Sequence, residues 1–161
     1  CDQMDYEGFI PLRPGETGNL EIPRRVIDYR ELVDGIVQQL LDTSEVSTRG
    51  LRSTTSAYSS GRYIHLRREG EFGAICALDF TLWRRYGRSP IWLRFSYSDW
   101  GRGAEVADLL SKTNLYLQDI RGSYREIVTP ILLTHNSDRQ RVIQDGVNQI
   151  RYISQRLLDD N

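Results

Sequence analysis

The sequence predicts an α+β fold: an antiparallel or mixed β-sheet packed against two long amphipathic α-helices, one N-terminal and one C-terminal, with a short helix between them. Three observations carry this. Leu32, Val33, Ile36, Val37, Leu40 and Leu41 recur along one helical stripe. Arg62–Leu66, Phe72–Leu78 and Pro90–Phe95 are short apolar runs bounded by Gly, Ser or charge, as strands are. Val142, Ile143, Val147, Ile150, Ile153, Leu157 and Leu158 then line one side of a closing helix.

Residues 1–25 hold Pro11, Pro14, Gly15, Gly18 and Pro23 with little periodicity, which predicts an irregular N-terminal arm with a short strand at Gly8 to Leu12. The first helix is expected to start at Asp28, with Glu31 three positions on completing a capping box. Its apolar stripe requires a covering layer, because each large side chain left wet forfeits roughly 1.5 to 3 kcal/mol. The polar stretch Thr43 to Ser60 reads as a loop or as an edge strand over 49–58.

The central strands follow, Arg62 to Arg68 and Phe72 to Leu78, joined by a hairpin at Glu69-Gly70-Glu71. Asp79 is placed to cap a short helix that ends at Gly87 in the left-handed conformation, with Phe80 and Trp83 sharing its inward face. After the strand Ile91 to Tyr97, Gly103 to Thr113 predicts a modest helix. Leu115 to Ile120 and Arg125 to Leu133 read as two strands around a turn. Pro130, which has no N–H to give a ladder, implies an edge or a bulge. The last helix is expected from Ser137, with Gln140 completing S-x-x-Q.

With 161 residues and no linker or repeat, the chain is read as a single domain, 1–161. Cys1 and Cys76 make no disulfide framework or zinc spacing, and Cys76 lies in an apolar run as a small core residue. No apolar stretch approaches 18 residues and no signal peptide is visible, so a soluble, cytoplasmic protein without a membrane partner is expected. Beginning at Cys1 rather than Met, the chain is expected to be part of a larger polypeptide.

The net charge of -1 conceals an uneven distribution. Residues 1–48 hold ten acids and four arginines, and residues 49–102 hold ten arginines and four acids. Arg62, Arg67, Arg68, Arg84, Arg85, Arg88, Arg94 and Arg102 are interleaved with Tyr63, Trp83, Tyr86, Trp92 and Trp100. Guanidinium groups beside aromatic platforms suit phosphate pairing and base stacking, which points to nucleic acid or an acidic protein as partner. Arg62, Arg67, Arg84, Arg85, Arg88, Trp83, Tyr86 and Trp100 are the binding candidates. The opposing reading is that these arginines pair with the acidic N-terminal third.

Other chemistries find less support. His65 and His135, 70 residues apart, supply no ligand pair. Ser59 or Ser60 with His65 and Asp79 lacks a nucleophile elbow, and the glycine pairs lack phosphate-loop spacing and lysine. A magnesium-dependent nuclease would need carboxylates at adjacent strand ends, for which Asp79 with Glu69 or Glu71 is the available set. No D/E-x-K occurs.

The phrase Gly73-Ala74-Ile75-Cys76-Ala77-Leu78-Asp79-Phe80-Thr81-Leu82-Trp83, with Gly87-Arg88-Ser89-Pro90-Ile91-Trp92-Leu93, resembles a segment of an uncharacterised bacterial domain associated with PD-(D/E)xK-type nuclease proteins. The resemblance implies a bacterial accessory domain and carries over no active-site residue. The expectation is therefore a non-enzymatic interaction module with a basic aromatic face and no cofactor. A divergent or inactive nuclease domain using Mg²⁺ is the alternative.

Overall fold

The computed structural model describes residues 22–49, 51, 53–55, 59–66, 71–114, 116–121, 123–133 and 138–158. Helix α1 spans Ile22–Asp42 and is followed by strands β1 (Val46–Ser47), β2 (Ser53–Thr55), β3 (Ser59–Leu66) and β4 (Phe72–Asp79). Helix α2 (Phe80–Tyr86), strand β5 (Ile91–Ser96), helix α3 (Gly103–Leu109), strands β6 (Leu117–Arg121) and β7 (Tyr124–Ile131), and helix α4 (Arg139–Leu158) complete the order.

The strands form one sheet in the order β1-β3-β4-β5-β7-β6, with β2 also pairing with β3. Every described pairing is antiparallel, which resolves the antiparallel-or-mixed alternative. The register divides the side chains into two faces. Ile64, Leu66, Ala74, Cys76, Leu78, Ile91, Leu93, Phe95, Ile127 and Ile131 lie on one and join Leu32, Ile36, Leu40, Val147 and Ile150 of α1 and α4 in the main core. This inner face is covered by the two long helices. They approach closely where Gly35 meets Ile143 and Gly146 meets Ile36.

Several local expectations need correction. Helix α1 starts at Ile22, so 22–25 are helical rather than part of an irregular arm, and Asp28 is a buried residue inside the helix instead of its cap. Pro23 is compatible with the early start, since a first-turn residue needs no N–H partner. The polar stretch after α1 contains two short strands, β1 and β2; β2 falls within the edge strand expected over 49–58, of which 50, 52 and 56–58 lie outside the described residues. Helix α4 begins at Arg139, and Asp138 supplies the cap: its Oδ1 accepts from the Arg141 N–H at 2.8 Å. The strand at Gly8 to Leu12, the turn residues Glu69 and Gly70, Ser137 and His135 lie outside the described residues.

Pro130 is accommodated without a bulge. It pairs with Trp92 on β5, while the described pairing with β6 ends at Val128, so its other side is locally an edge. Among the described residues, no helix is long and apolar enough to cross a membrane.

Candidate functional site

The outer face of the sheet carries the polar chemistry. By register, Tyr63, His65, Gly73, Ile75, Ala77, Asp79, Trp92, Arg94, Ser96, Asp119, Glu126 and Val128 share this face. Helix α2 folds back over one end of it. The Asp79 side chain accepts from the Leu82 N–H at 2.9 Å, and Gly87, with φ of 80°, donates its N–H to the Trp83 carbonyl at 2.7 Å. Both caps are as the sequence predicts. The fully buried α2 residue is Leu82, packed with Trp92 and Val128, whereas Phe80 and Trp83 are partly buried and both pack against the main core, as expected of a shared inward face.

Trp92 anchors the layer beneath α2, its indole N–H donating to the Ser89 carbonyl at 2.6 Å. Beside it lie two charge clusters. Arg94 donates Nε to Glu126 Oε1 at 3.0 Å and Nη2 to Oε2 at 2.8 Å, and its Nη1 stands 3.5 Å from Asp79 Oδ2. Tyr124 donates its hydroxyl to Glu126 Oε2 at 2.7 Å. Burial works to lower the Arg94 pKa, but the hydrogen bonds and charge of Glu126, with Asp79 behind, more than offset it and hold the guanidinium above its ordinary value. The Tyr124 hydroxyl is pushed up to about 12 by burial and by donating to the carboxylate.

The second cluster surrounds Asp119, which is fully buried directly across the ladder from Glu126. Its Oδ1 accepts from Arg85 Nη1 at 2.7 Å and from the Tyr86 hydroxyl at 2.9 Å. That contact raises the Arg85 pKa, while burial followed by the bond to Asp119 raises that of Tyr86. Asp119 and Glu126 escape a reading of the sequence because strands bearing Asp and Glu look solvent-facing. Their closeness to Arg85 and Arg94 depends on pairings between distant segments.

The binding candidates do not share one surface. Arg62 alternates onto the inner face, where its Nη1 lies 3.6 Å from Asp34 of α1. Arg85 and Tyr86 are engaged by Asp119. Arg84 and Arg88 are exposed and make no ion pair among the described residues, and Trp83 is partly buried beside them. Trp100 lies at the opposite end of β4, against Gly73, Tyr63 and His65. Arg102 bonds to Glu105 and stacks 4.1 Å over the Phe72 ring. Arg67 lies outside the described residues.

The carboxylates proposed for a cation do not converge either. Asp79 and Glu71 flank the two ends of β4, eight residues and so roughly 26 Å apart, and Glu69 is outside the described residues. Among the described residues, no three His, Cys, Asp or Glu are grouped so as to hold a metal ion. The buried Cys76 thiol is pushed up to about 12 by burial, which suits a core side chain and not a nucleophile. No protein-family model, curated protein or solved structure matches this chain.

Proposed function

We propose that the chain is an interaction module, and not an enzyme, that receives an acidic partner, nucleic acid or protein, on the outer side of its sheet. The supporting observation is the division among its arginines. Arg62, Arg85, Arg94 and Arg102 are committed to the chain's own carboxylates, whereas Arg84 and Arg88 on and just after α2 stand exposed without one among the described residues. Trp83 and Tyr86 flank them with partly exposed rings. The recognition set is thereby narrowed to Arg84 and Arg88, with Arg85 secondary because Asp119 already neutralises it.

Retention on heparin and anisotropy of a labelled oligonucleotide test this reading. The double variant Arg84→Ala/Arg88→Ala is expected to weaken binding and flatten its salt dependence, while Arg62→Ala leaves both unchanged. Equal behaviour of the two variants removes the assignment to α2.

The nuclease alternative is supported by Asp79, Asp119 and Glu126 lying on the outer face. These residues do not fit a magnesium ion as they stand, because the Arg94 guanidinium bridges Asp79 and Glu126. No step is therefore assigned through the metal. Metal-dependent cleavage of DNA or RNA that Asp79→Asn abolishes would replace the binding reading with this one.

A further inference from the structure

The outer face has a second feature, at the end of β4 away from α2. A Cβ placed on Gly73 would lie 2.1 and 2.2 Å from Cε2 and Cδ2 of Trp100, the two atoms shared by the indole rings. That geometry puts the middle of the indole, face down, on the Gly73 backbone. The Gly73 N–H also donates to the Trp100 carbonyl at 2.9 Å, so main chain and ring are both pinned. Tyr63 and His65, two apart on the neighbouring strand, stand at 67° and 73° to the indole plane with centroids 5.6 and 5.9 Å away. They form a wall beside a flat floor.

The loop bearing Trp100 is tightly determined. Arg102 holds φ of 54°, a left-handed conformation costly for a residue with a side chain. It is kept there by Glu105, by stacking on Phe72 and by the Glu71 carbonyl at 3.5 Å. Trp100, Tyr63 and His65 are all partly exposed.

We infer that Trp100 is a stacking platform for a base of single-stranded nucleic acid, with Tyr63 and His65 bordering the base and the strand running along the sheet toward Arg84 and Arg88. This deepens the reading of an acidic partner and rests on it. Gly73 and Asp79 are six residues apart on β4, so platform and α2 are roughly 20 Å apart, within reach of a few nucleotides. Stacking accepts any base, because every base has a π-face, and the arginines would meet phosphates. A protein partner can meet the arginines with carboxylates and the indole with a side-chain ring, but only a nucleic-acid strand repeats ring and anion at every unit, which suits a platform and arginines roughly 20 Å apart.

The test uses the full chain with two probes, fluorescein-labelled dT15 and heparin, a polyanion without bases. Trp100→Ala is expected to weaken dT15 binding at least about fivefold while leaving heparin binding unchanged. Trp100→Phe, which keeps a ring and guards against loop collapse, should retain most of the affinity yet show clearly less tryptophan quenching by dT15 than the parent, the remainder coming from Trp83 beside the arginines. Loss of heparin and dT15 binding in parallel, unchanged dT15 binding in Trp100→Ala, or quenching in Trp100→Phe undiminished from the parent each overturns the platform. In the second of those cases, heparin binding that still depends on Arg84 and Arg88 leaves the acidic-partner reading standing. Failure of the parent to bind either probe removes the platform and the acidic-polymer reading together.

Discussion

Arg94 and Glu126 meet fork to fork across neighbouring strands, with the carboxylate fully buried and the guanidinium side chain 13% exposed. Such a pair holds two desolvated charges in mutual neutrality, and removing one strands the other. Glu126→Leu is therefore expected to destabilise the domain by about 3 kcal/mol, read from urea unfolding. The double variant Arg94→Leu/Glu126→Leu should lose less than the two single changes added together. Additive losses would show that the contact does not couple the residues.

Gly73→Ala tests the floor of the outer face from below. The added methyl overlaps the Trp100 indole, so the ring must leave its seat. Near-ultraviolet circular dichroism should change, with a stability loss of about 1 to 3 kcal/mol. An unchanged spectrum would place the indole elsewhere.

Glu45 links β1 to α4, accepting from Arg151 Nε at 2.5 Å and Nη2 at 2.8 Å. The Arg151 hydrogen bonds lead in lowering its pKa from the ordinary 4.5, against a smaller rise from burial and with further help from Thr43. The folded carboxylate thus binds its proton less tightly than the unfolded one. Its contribution is complete above pH 4.5 and fades as pH falls through the lower folded value. Glu45→Gln should lower stability by no more than about 1 kcal/mol at neutral pH, because the pair is partly exposed. The difference in urea midpoint between parent and variant should vanish in acid.

Cys76 offers a check on the core. In a Cys1→Ser background, a thiol-specific reagent at pH 8 should label Cys76 slowly in the native protein and rapidly after unfolding, because the thiol is buried and its pKa stands near 12. Fast native labelling would contradict its place among Leu93, Ile64 and Leu78.

The parts legible beforehand are those with local causes. Asp79 reaches the Leu82 amide three residues on, and Gly87 ends α2 through its own backbone freedom, so both caps follow from neighbouring letters. The stripes of α1 and α4 appear because burial repeats with the helical period. Local rules also competed with one another. The Asp28 and Glu31 pattern has the form of a helix start, but the helix already runs from Ile22. At α4, Asp138 supplies the cap that the S-x-x-Q pattern predicts at Ser137.

The arginine excess is visible in composition, but its distribution over surfaces is not. Arg62 and Tyr63 are adjacent letters whose side chains point to opposite faces, and Arg62 meets Asp34 only because α1 packs on the inner face. Asp119 and Glu126 are buried because α2, Arg85 and Arg94 arrive from segments more than thirty residues away.

From the letters alone came the α+β class, the two amphipathic helices, the core runs of the central strands and the caps of α2, since each depends on periodicity or on contacts within a turn. Only the tertiary structure decided strand order, the neutralisation of Arg62, Arg85 and Arg94, the exposure of Arg84 and Arg88, and the seating of Trp100 on Gly73. Charge pairing and ring packing depend on distances of a few ångströms between segments far apart in the chain, and those distances exist only once the sheet has closed its register.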